Sequence, residues 1–256
     1  MDLWDALDLD ATAGGPPVVA IVGGGGKTAL LYRLGRDAEA RGLRAVLAGT
    51  TRFTAEARGR MPPIVGADDA ALPPLVEAAL RSSPVVVASS GTEPQGRLAS
   101  ISVETAEVFA AFDGLGLLAL EADGSKMLPF KAPAEGEPVV TPSATHVVTV
   151  VGADAIDCPL DERHVHRPER IRALAGPANP ADLATCSVEL ITAVLAHPDG
   201  GRKHVGGRRF AVLVNKADLA PSRARDLALV LRDAGIERVV IASLRDEAET
   251  VRELLT

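Results

Sequence analysis

Seven short apolar, largely β-branched runs recur along the chain, at 18–22, 44–48, 84–88, 117–121, 145–151, 210–214 and 238–242. Each is continuous rather than alternating, the pattern of a strand covered on both faces. Between most of them lie stretches with apolar residues at helical spacing, at 27–41, 68–81, 102–112, 167–174, 181–196, 221–234 and 245–255. Strand and helix alternate. This predicts an α/β fold with a mostly parallel sheet and helices on both faces, its ligands held at the carboxyl ends of the strands. No linker separates two units, so residues 1–256 are expected to form one domain of the P-loop NTPase-like kind, with a helical and loop insertion over 152–209. One stretch breaks the rhythm: residues 123–144 carry four prolines, at 129, 133, 138 and 142, and no helical period. A long loop of this kind is either functional or disordered.

Composition narrows the function classes. The balance of 47% apolar and 24% charged residues is that of a folded globular chain, and 3% aromatic content argues against a stacking platform for single-stranded nucleic acid. A net charge of −7 opposes broad binding to a phosphate backbone, so any anion site must be local and no nucleic-acid partner is expected. Cys158 and Cys186 are too few for a disulfide framework and read as two ordinary thiols. The first ten residues are acidic and lack the positive flank and apolar core of a signal peptide, and no apolar run is long enough to span a bilayer. A cytoplasmic protein with no membrane partner is the expectation.

Lysine is scarce: there are five, Lys27, Lys126, Lys131, Lys203 and Lys216, against 22 arginines. A compact ammonium suits a phosphate loop where the planar guanidinium fork does not, so these five mark candidate sites. The two that fall in the proline-rich stretch, Lys126 and Lys131, favour a functional loop there.

Right after the first apolar run comes Gly23-Gly24-Gly25-Gly26-Lys27-Thr28, and then a helix-forming series. The order strand, glycine loop, lysine, hydroxyl, helix is that of a phosphate cradle. Glycines let backbone amides approach phosphates, the helix start adds partial positive charge, lysine reaches the terminal phosphates and threonine ligates magnesium. The usual spacing would need glycine where Ile21 stands, so the loop is two residues short, a form also found in the Mur ligase type of phosphate loop. ATP and GTP both remain open. A plain glycine turn and a dinucleotide site compete with this reading, the latter weakened by Thr28 at the last glycine position.

The run at 210–214 leads into Asn215-Lys216-Ala217-Asp218, which is similar to the base-recognition motif of GTPases. An aspartate can accept two hydrogen bonds that guanine donates and adenine cannot, while the lysine stem lies along the base. A later strand ends Ala242-Ser243-Leu244, where a backbone contact to the guanine oxygen is expected at Ser243. The competing reading has Asn215 and Asp218 capping the helix that starts near Pro221. The strand at 117–121 ends in Glu121-Ala122-Asp123-Gly124, and its two acids share a face, so either or both could hold magnesium. An Asp-Gly turn with an exposed glutamate is the alternative. His164 and His166 lack a third metal ligand and read as solvated or capping side chains, or as a loop contacting substrate. The basic, glycine-rich stretch 197–209 that holds Lys203 reads equally as a lid or a plain surface loop.

Taken in this order, the pieces resemble the YqeC family. The resemblance rests on Ile-Val-Gly-Gly-Gly-Gly-Lys-Thr at 21–28, Leu-Glu-Ala-Asp-Gly-Ser-Lys at 120–126, Leu-Pro-Phe-Lys-Ala-Pro at 128–133, Val-His-Arg-Pro-Glu at 165–169 and Val-Asn-Lys-Ala-Asp-Leu at 214–219. It implies a P-loop nucleotide-binding protein associated with maturation of selenium-dependent molybdenum hydroxylases, with a molybdopterin-type cofactor and such a hydroxylase as partners. Lys27, Thr28, Glu121, Asp123, Lys131, His166, Arg167, Asn215, Lys216 and Asp218 match patterned positions of the family. Gly24, where alanine is common, and Ala29, where a second threonine is common, depart from it.

The expected site therefore has Lys27 and the four glycines on the phosphates, Thr28 with Glu121 or Asp123 on magnesium, and Asn215, Lys216, Asp218 and Ser243 on a purine base. Lys27, Glu121, Asp123 and Lys131 would serve catalysis. Lys126, His166 and Arg167 would line the substrate side. The activity expected is a GTP- or ATP-dependent NTPase or transferase. Its rivals are a nucleotide-gated accessory chaperone and a Mur-like ATP-dependent ligase or kinase.

Overall fold

Burial on both faces explains why the strand runs are unbroken by polar residues: every residue of the first central strand is buried. The computed structural model describes residues 1–10, 14–55, 61–93, 96–176, 184–246 and 248–256. A short helix α1 (Leu3–Ala6) precedes β1 (Val18–Gly23) and α2 (Lys27–Ala40). There follow β2 (Arg44–Gly49), β3 (Phe53–Thr54), β4 (Ile64–Gly66), α3 (Leu72–Ala79), β5 (Val85–Ser89), β6 (Thr92–Glu93), β7 (Arg97–Leu98), α4 (Val103–Ala110) and β8 (Leu115–Glu121). The second half comprises β9 (His146–Gly152), α5 (Pro168–Ala175), α6 (Val188–Ala196), β10 (Arg209–Asn215), α7 (Pro221–Asp233), β11 (Val239–Ala242) and β12 (Val251–Leu255).

Nine strands form one sheet in the order β12-β11-β10-β9-β1-β8-β2-β5-β4, parallel except for β12. The fold is thus α/β with a mostly parallel sheet. α1 and α2 cover one face, α1 through Leu3 and Trp4 and α2 through Leu30, Leu31 and Leu34. The other face carries α3 and α4 at one end and α5, α6 and α7 at the other. β8 inserts between β1 and β2, and β9 lies on the far side of β1. Strand order therefore reverses around β1, and the loops leaving its neighbours diverge to open a crevice at their carboxyl ends.

Three departures from the sequence pattern have physical causes. Residues 245–255, expected to be helical, instead turn and return as β12, antiparallel to β11. The Asp246 carboxylate accepts the amides of Ala248 and Glu249 at 3.0 and 3.2 Å, and Ser243 donates its amide to the Thr250 carbonyl at 2.8 Å, so the chain reverses at once. The open edge of β11 then captures Val251–Leu255, and edge pairing outweighs helical propensity. The helix expected over 181–196 begins only at Val188, where the Ser187 hydroxyl caps it by accepting the Leu190 amide; positions 181–183 lie outside the described residues. The acidic start conceals α1, capped by Asp2, whose Leu3 and Trp4 are buried. Between β9 and β10, α5 and α6 pack into one core with α7. Among the described residues, no helix is long and apolar enough to cross a membrane.

Trp4 ties the start of the chain to the core: its indole N–H donates to Asp10 at 2.6 Å and the Arg41 guanidinium lies 5.3 Å from its ring centre. Trp4→Ala should lower the unfolding free energy by about 3–5 kcal/mol, read from urea melts followed by circular dichroism. An unchanged midpoint would show that this segment contributes nothing to the fold.

Candidate functional site

The glycine loop leaves β1 and enters α2 with little freedom. The Gly23 amide donates to both oxygens of the Asp123 carboxylate at 3.1 Å, Gly24 to the Val150 carbonyl at 2.9 Å and Gly25 to the Leu128 carbonyl at 3.0 Å. Gly25 has φ +78°, and a Cβ there would lie 2.2 Å from the Gly152 nitrogen; one on Gly24 would lie 2.6 Å from the Leu128 oxygen. The first three amides thus face protein. Those of Gly26, Lys27, Thr28 and Ala29 meet no protein acceptor among the described residues, and they stand at the positive end of a 14-residue helix. Anion capacity is therefore concentrated in the first turn of α2.

The Lys27 ammonium is buried beside this turn. It donates to the Gly23 carbonyl at 2.7 Å and lies 3.4 Å from Asp123 and 3.7 Å from Glu121. The Thr28 hydroxyl donates to Glu121 at 2.8 Å. Burial pushes the Glu121 carboxyl up from its ordinary range, against the pull of Lys27 and Thr28. The two acids have different surroundings. Asp123 is enclosed by the Gly23 amide, Lys27 and Lys131, whose ammonium is 2.9 Å away, whereas Glu121 opens towards the Thr28 hydroxyl. Among the described residues no group of three or more His, Cys, Asp or Glu side chains is placed to hold a metal. A divalent cation held by Thr28 and Glu121 would need ligand oxygens to complete its shell, and hard oxygen donors of this kind suit magnesium.

The proline-rich stretch lies across the glycine loop as a strap. Phe130 and Ala132 are buried, the Gly152 amide donates to Pro129 at 2.9 Å, and Lys131 makes an isolated parallel bridge with His166. A line of alternating charge runs from the loop into it. Lys131 reaches Glu137 at 2.6 Å as well as Asp123, and Arg167 grips Glu137 at 2.7 and 3.1 Å. Burial alone would raise the Glu137 carboxyl; hydrogen bonds from Arg167 and Lys131 prevail and hold it at about 2. The His166 imidazole is half-buried, and burial together with Arg167, Lys131 and Lys126 pushes it down to about 4, which leaves it neutral at physiological pH. His164 instead pairs with Asp161 at 2.7 Å on the surface. Lys126 is exposed, with φ +52°.

The scarce lysine in the basic loop proves to be structural. Lys203 donates to the carbonyls of Ala134 and Glu135 at 2.7 and 2.6 Å, clamping the far end of the strap. With Thr149 bonded to the Gly201 carbonyl at 2.8 Å and Arg208 to the Ala144 carbonyl at 2.9 Å, the stretch 197–209 is anchored at several points.

On the other flank, Asn215 joins three loops. Its amide donates to the Gly25 carbonyl at 2.8 Å and its oxygen accepts the Leu244 amide at 3.0 Å. Lys216, at φ +60°, pairs with Asp154 at 2.6 Å rather than lying free along a ligand. The Ser243 hydroxyl accepts the Asp218 amide at 3.1 Å, and its own amide is given to Thr250. The backbone contact anticipated at Ser243 is thus already occupied by the turn into β12. The carboxylate of Asp218 is exposed, has no protein partner among the described residues, and borders a cavity of about 500 Å3 shared with Pro221, Arg225, Ile241 and Arg252.

Sequence reasoning missed Glu137 and Asp154. Asp154 pairs with Lys216, 62 residues away, and Glu137 joins Lys131, six residues away, to Arg167, 30 residues away, a link that only the fold creates. Because the folded Glu137 carboxyl lies below its ordinary value of 4.5, its contribution to stability is present above that pH and is lost as pH falls towards 2. Glu137→Gln should therefore lower stability at neutral pH by about 1–2 kcal/mol, allowing for screening. The gap from wild type should close between pH 4.5 and 2 in parallel urea melts; a gap constant with pH would contradict the charge assignment.

Comparison with known proteins adds a family. The family model described as YqeC protein matches residues 19–169. The chain is also 30% identical over 243 residues, 94% of its length and 92% of the relative's, to a protein of Escherichia coli (strain K12) described as "Uncharacterized protein YqeC".

Proposed function

The chain belongs to the YqeC family, and from the local geometry we propose that it binds a purine nucleoside triphosphate with magnesium, guanine preferred over adenine. The observation that carries this reading is the first turn of α2, where four unpaired amides, the Lys27 ammonium and the Thr28 hydroxyl converge. Phosphate oxygens would take the amides of Gly26 to Ala29. Lys27 would exchange the Gly23 carbonyl for phosphate, a short swing for a flexible stem. Thr28 and Glu121 would hold the magnesium ion, which supplies charge neutralisation between phosphate oxygens. Asp123 anchors the loop and Lys131 instead of contacting the metal, since its oxygens already serve Gly23 and both lysines.

Asn215 acts as a latch between the glycine loop and the turn after β11. Base selection then falls to Asp218, whose carboxylate meets no partner among the described residues and borders a cavity within the range of ligand sites. The reaction proposed is hydrolysis of the nucleotide or transfer of part of it to a small cofactor of molybdopterin type, in maturation of selenium-dependent molybdenum hydroxylases. Lys126, neutral His166 and Arg167 would face that acceptor, His166 as a proton acceptor.

A second reading, a nucleotide-gated accessory module with little turnover, is favoured by the charge line from Lys27 through Asp123 and Lys131 to Glu137. Withdrawal of Lys27 towards phosphate would release part of the hold on Asp123 and so on the strap.

Equilibrium binding of labelled GTP with ATP as competitor tests the main reading. Lys27→Ala should weaken binding more than about tenfold, the loss of a charged hydrogen bond, and Asp218→Ala should erase the preference for GTP. Equal competition by ATP in wild type would sink the guanine assignment. Unchanged affinity in Lys27→Ala would sink the phosphate loop. Single-turnover hydrolysis with and without an acceptor separates transfer from switching.

A further inference from the structure

Cys158 and Cys186 are 28 residues apart in the chain, yet the fold sets them face to face. The Asp157 amide donates to the Cys186 carbonyl at 2.9 Å, and the Cys186 amide donates to the Cys158 carbonyl at 2.9 Å. With Asp157 at φ +63°, this is the bonding of a G1-type β-bulge, in which Cys158 and Cys186 stand directly opposite one another. Residues that stand opposite one another in an antiparallel pair have Cα atoms about 4.5–5.5 Å apart, inside the range a disulfide spans. A neighbouring bridge between Pro159 and Thr185, with the Leu160 amide on the Ala184 carbonyl at 2.9 Å, holds the register. The Cys158 thiol itself donates to the Pro159 carbonyl at 3.6 Å.

We propose that this pair is a thiol–disulfide exchange site whose substrate is a low-molecular-weight disulfide such as oxidised glutathione. The two cysteines differ in a way that orders the steps. Cys158 is half-buried and Cys186 is fully buried. The neighbouring Cys186, and then His164, lower the Cys158 thiol against the effect of burial, while the neighbouring Cys158 and burial push Cys186 up. The Cys158 thiolate attacks one sulfur of the disulfide, and the S–S bond breaks to release one thiol. The Cys186 thiol then gives up its proton and attacks the Cys158 sulfur of the mixed disulfide, releasing the second thiol. Two protein thiols are oxidised, one disulfide is reduced, and their two protons leave on the two released thiols. The new bond closes a loop over 159–185, which contains His166 and Arg167, so oxidation would fix the segment that grips Glu137.

The full chain in glutathione buffers of graded ratio, quenched with an alkylating agent and weighed by mass spectrometry, tests this. Wild type should lose both alkylatable thiols together and become lighter by two hydrogens without dimerising. Cys186→Ser should stop at a glutathione adduct on Cys158. Cys158→Ser should leave Cys186 unmodified while folded, with adduct formation slower by about tenfold or more. Cys186→Ala repeats the adduct experiment without placing a hydroxyl in the core, and circular dichroism checks that each variant folds. A wild type that accumulates the adduct without closing the ring, keeps both thiols free, or pairs two chains through Cys158 would overturn the proposal.

Discussion

The buried carboxylate of Asp123 is the point on which this structure turns. A carboxylate removed from water is costly unless each oxygen is satisfied, and here one group gathers the Gly23 amide, the Lys27 ammonium and the Lys131 ammonium. Those three partners come from the glycine loop, the start of α2 and the strap. None could move far without leaving the others with an uncompensated charge. Asp123 and Glu137 face three cations, Lys27, Lys131 and Arg167, while burial pushes Glu121 towards its neutral form. The phosphate proposed above would meet this local positive excess together with the amide dipoles of α2.

The sheet makes that gathering possible. β1 and β8 are neighbours in parallel register, with Ile21 paired to Glu121, so the glycine loop and the acidic strand end emerge side by side. β9 on the other side brings Val150 and Gly152 against Gly24 and Gly25. Asn215, at the end of β10, completes the row. A continuous parallel sheet thus converts four sequence-distant strand ends into one surface.

Which parts of this could be read from the chain follows from how local each determinant is. The seven central strands and the glycine loop were legible because burial and close backbone approach act within a few residues, and Lys27 and Thr28 follow the loop directly. β12 was misread: Val-Arg-Glu-Leu-Leu has ordinary helical propensity, and what decides its form is the unpaired edge of β11, which no window of sequence contains. The role of Lys203, the pairing of Lys216 with Asp154 and the meeting of Cys158 with Cys186 were hidden for the same reason. Each depends on where a remote segment comes to rest. Scarcity of lysine was still a usable signal: Lys27, Lys131, Lys203 and Lys216 each hold a defined acceptor.

The glycines at 24 and 25 have a bearing on how variation in this family should be interpreted. The space a side chain would need at these positions is filled by backbone atoms of the strap and of the turn after β9. At Gly25, whose φ is +78°, glycine is therefore imposed by assembly of the chain upon itself, independently of any ligand. Alanine at position 24 would be accommodated only where the strap backbone at Leu128 to Phe130 gives way, so the two glycines carry different constraints. Under the phosphate-binding reading proposed above, Lys27 and Thr28 are the positions whose loss would record a change of activity, while Gly25 reports only on the fold.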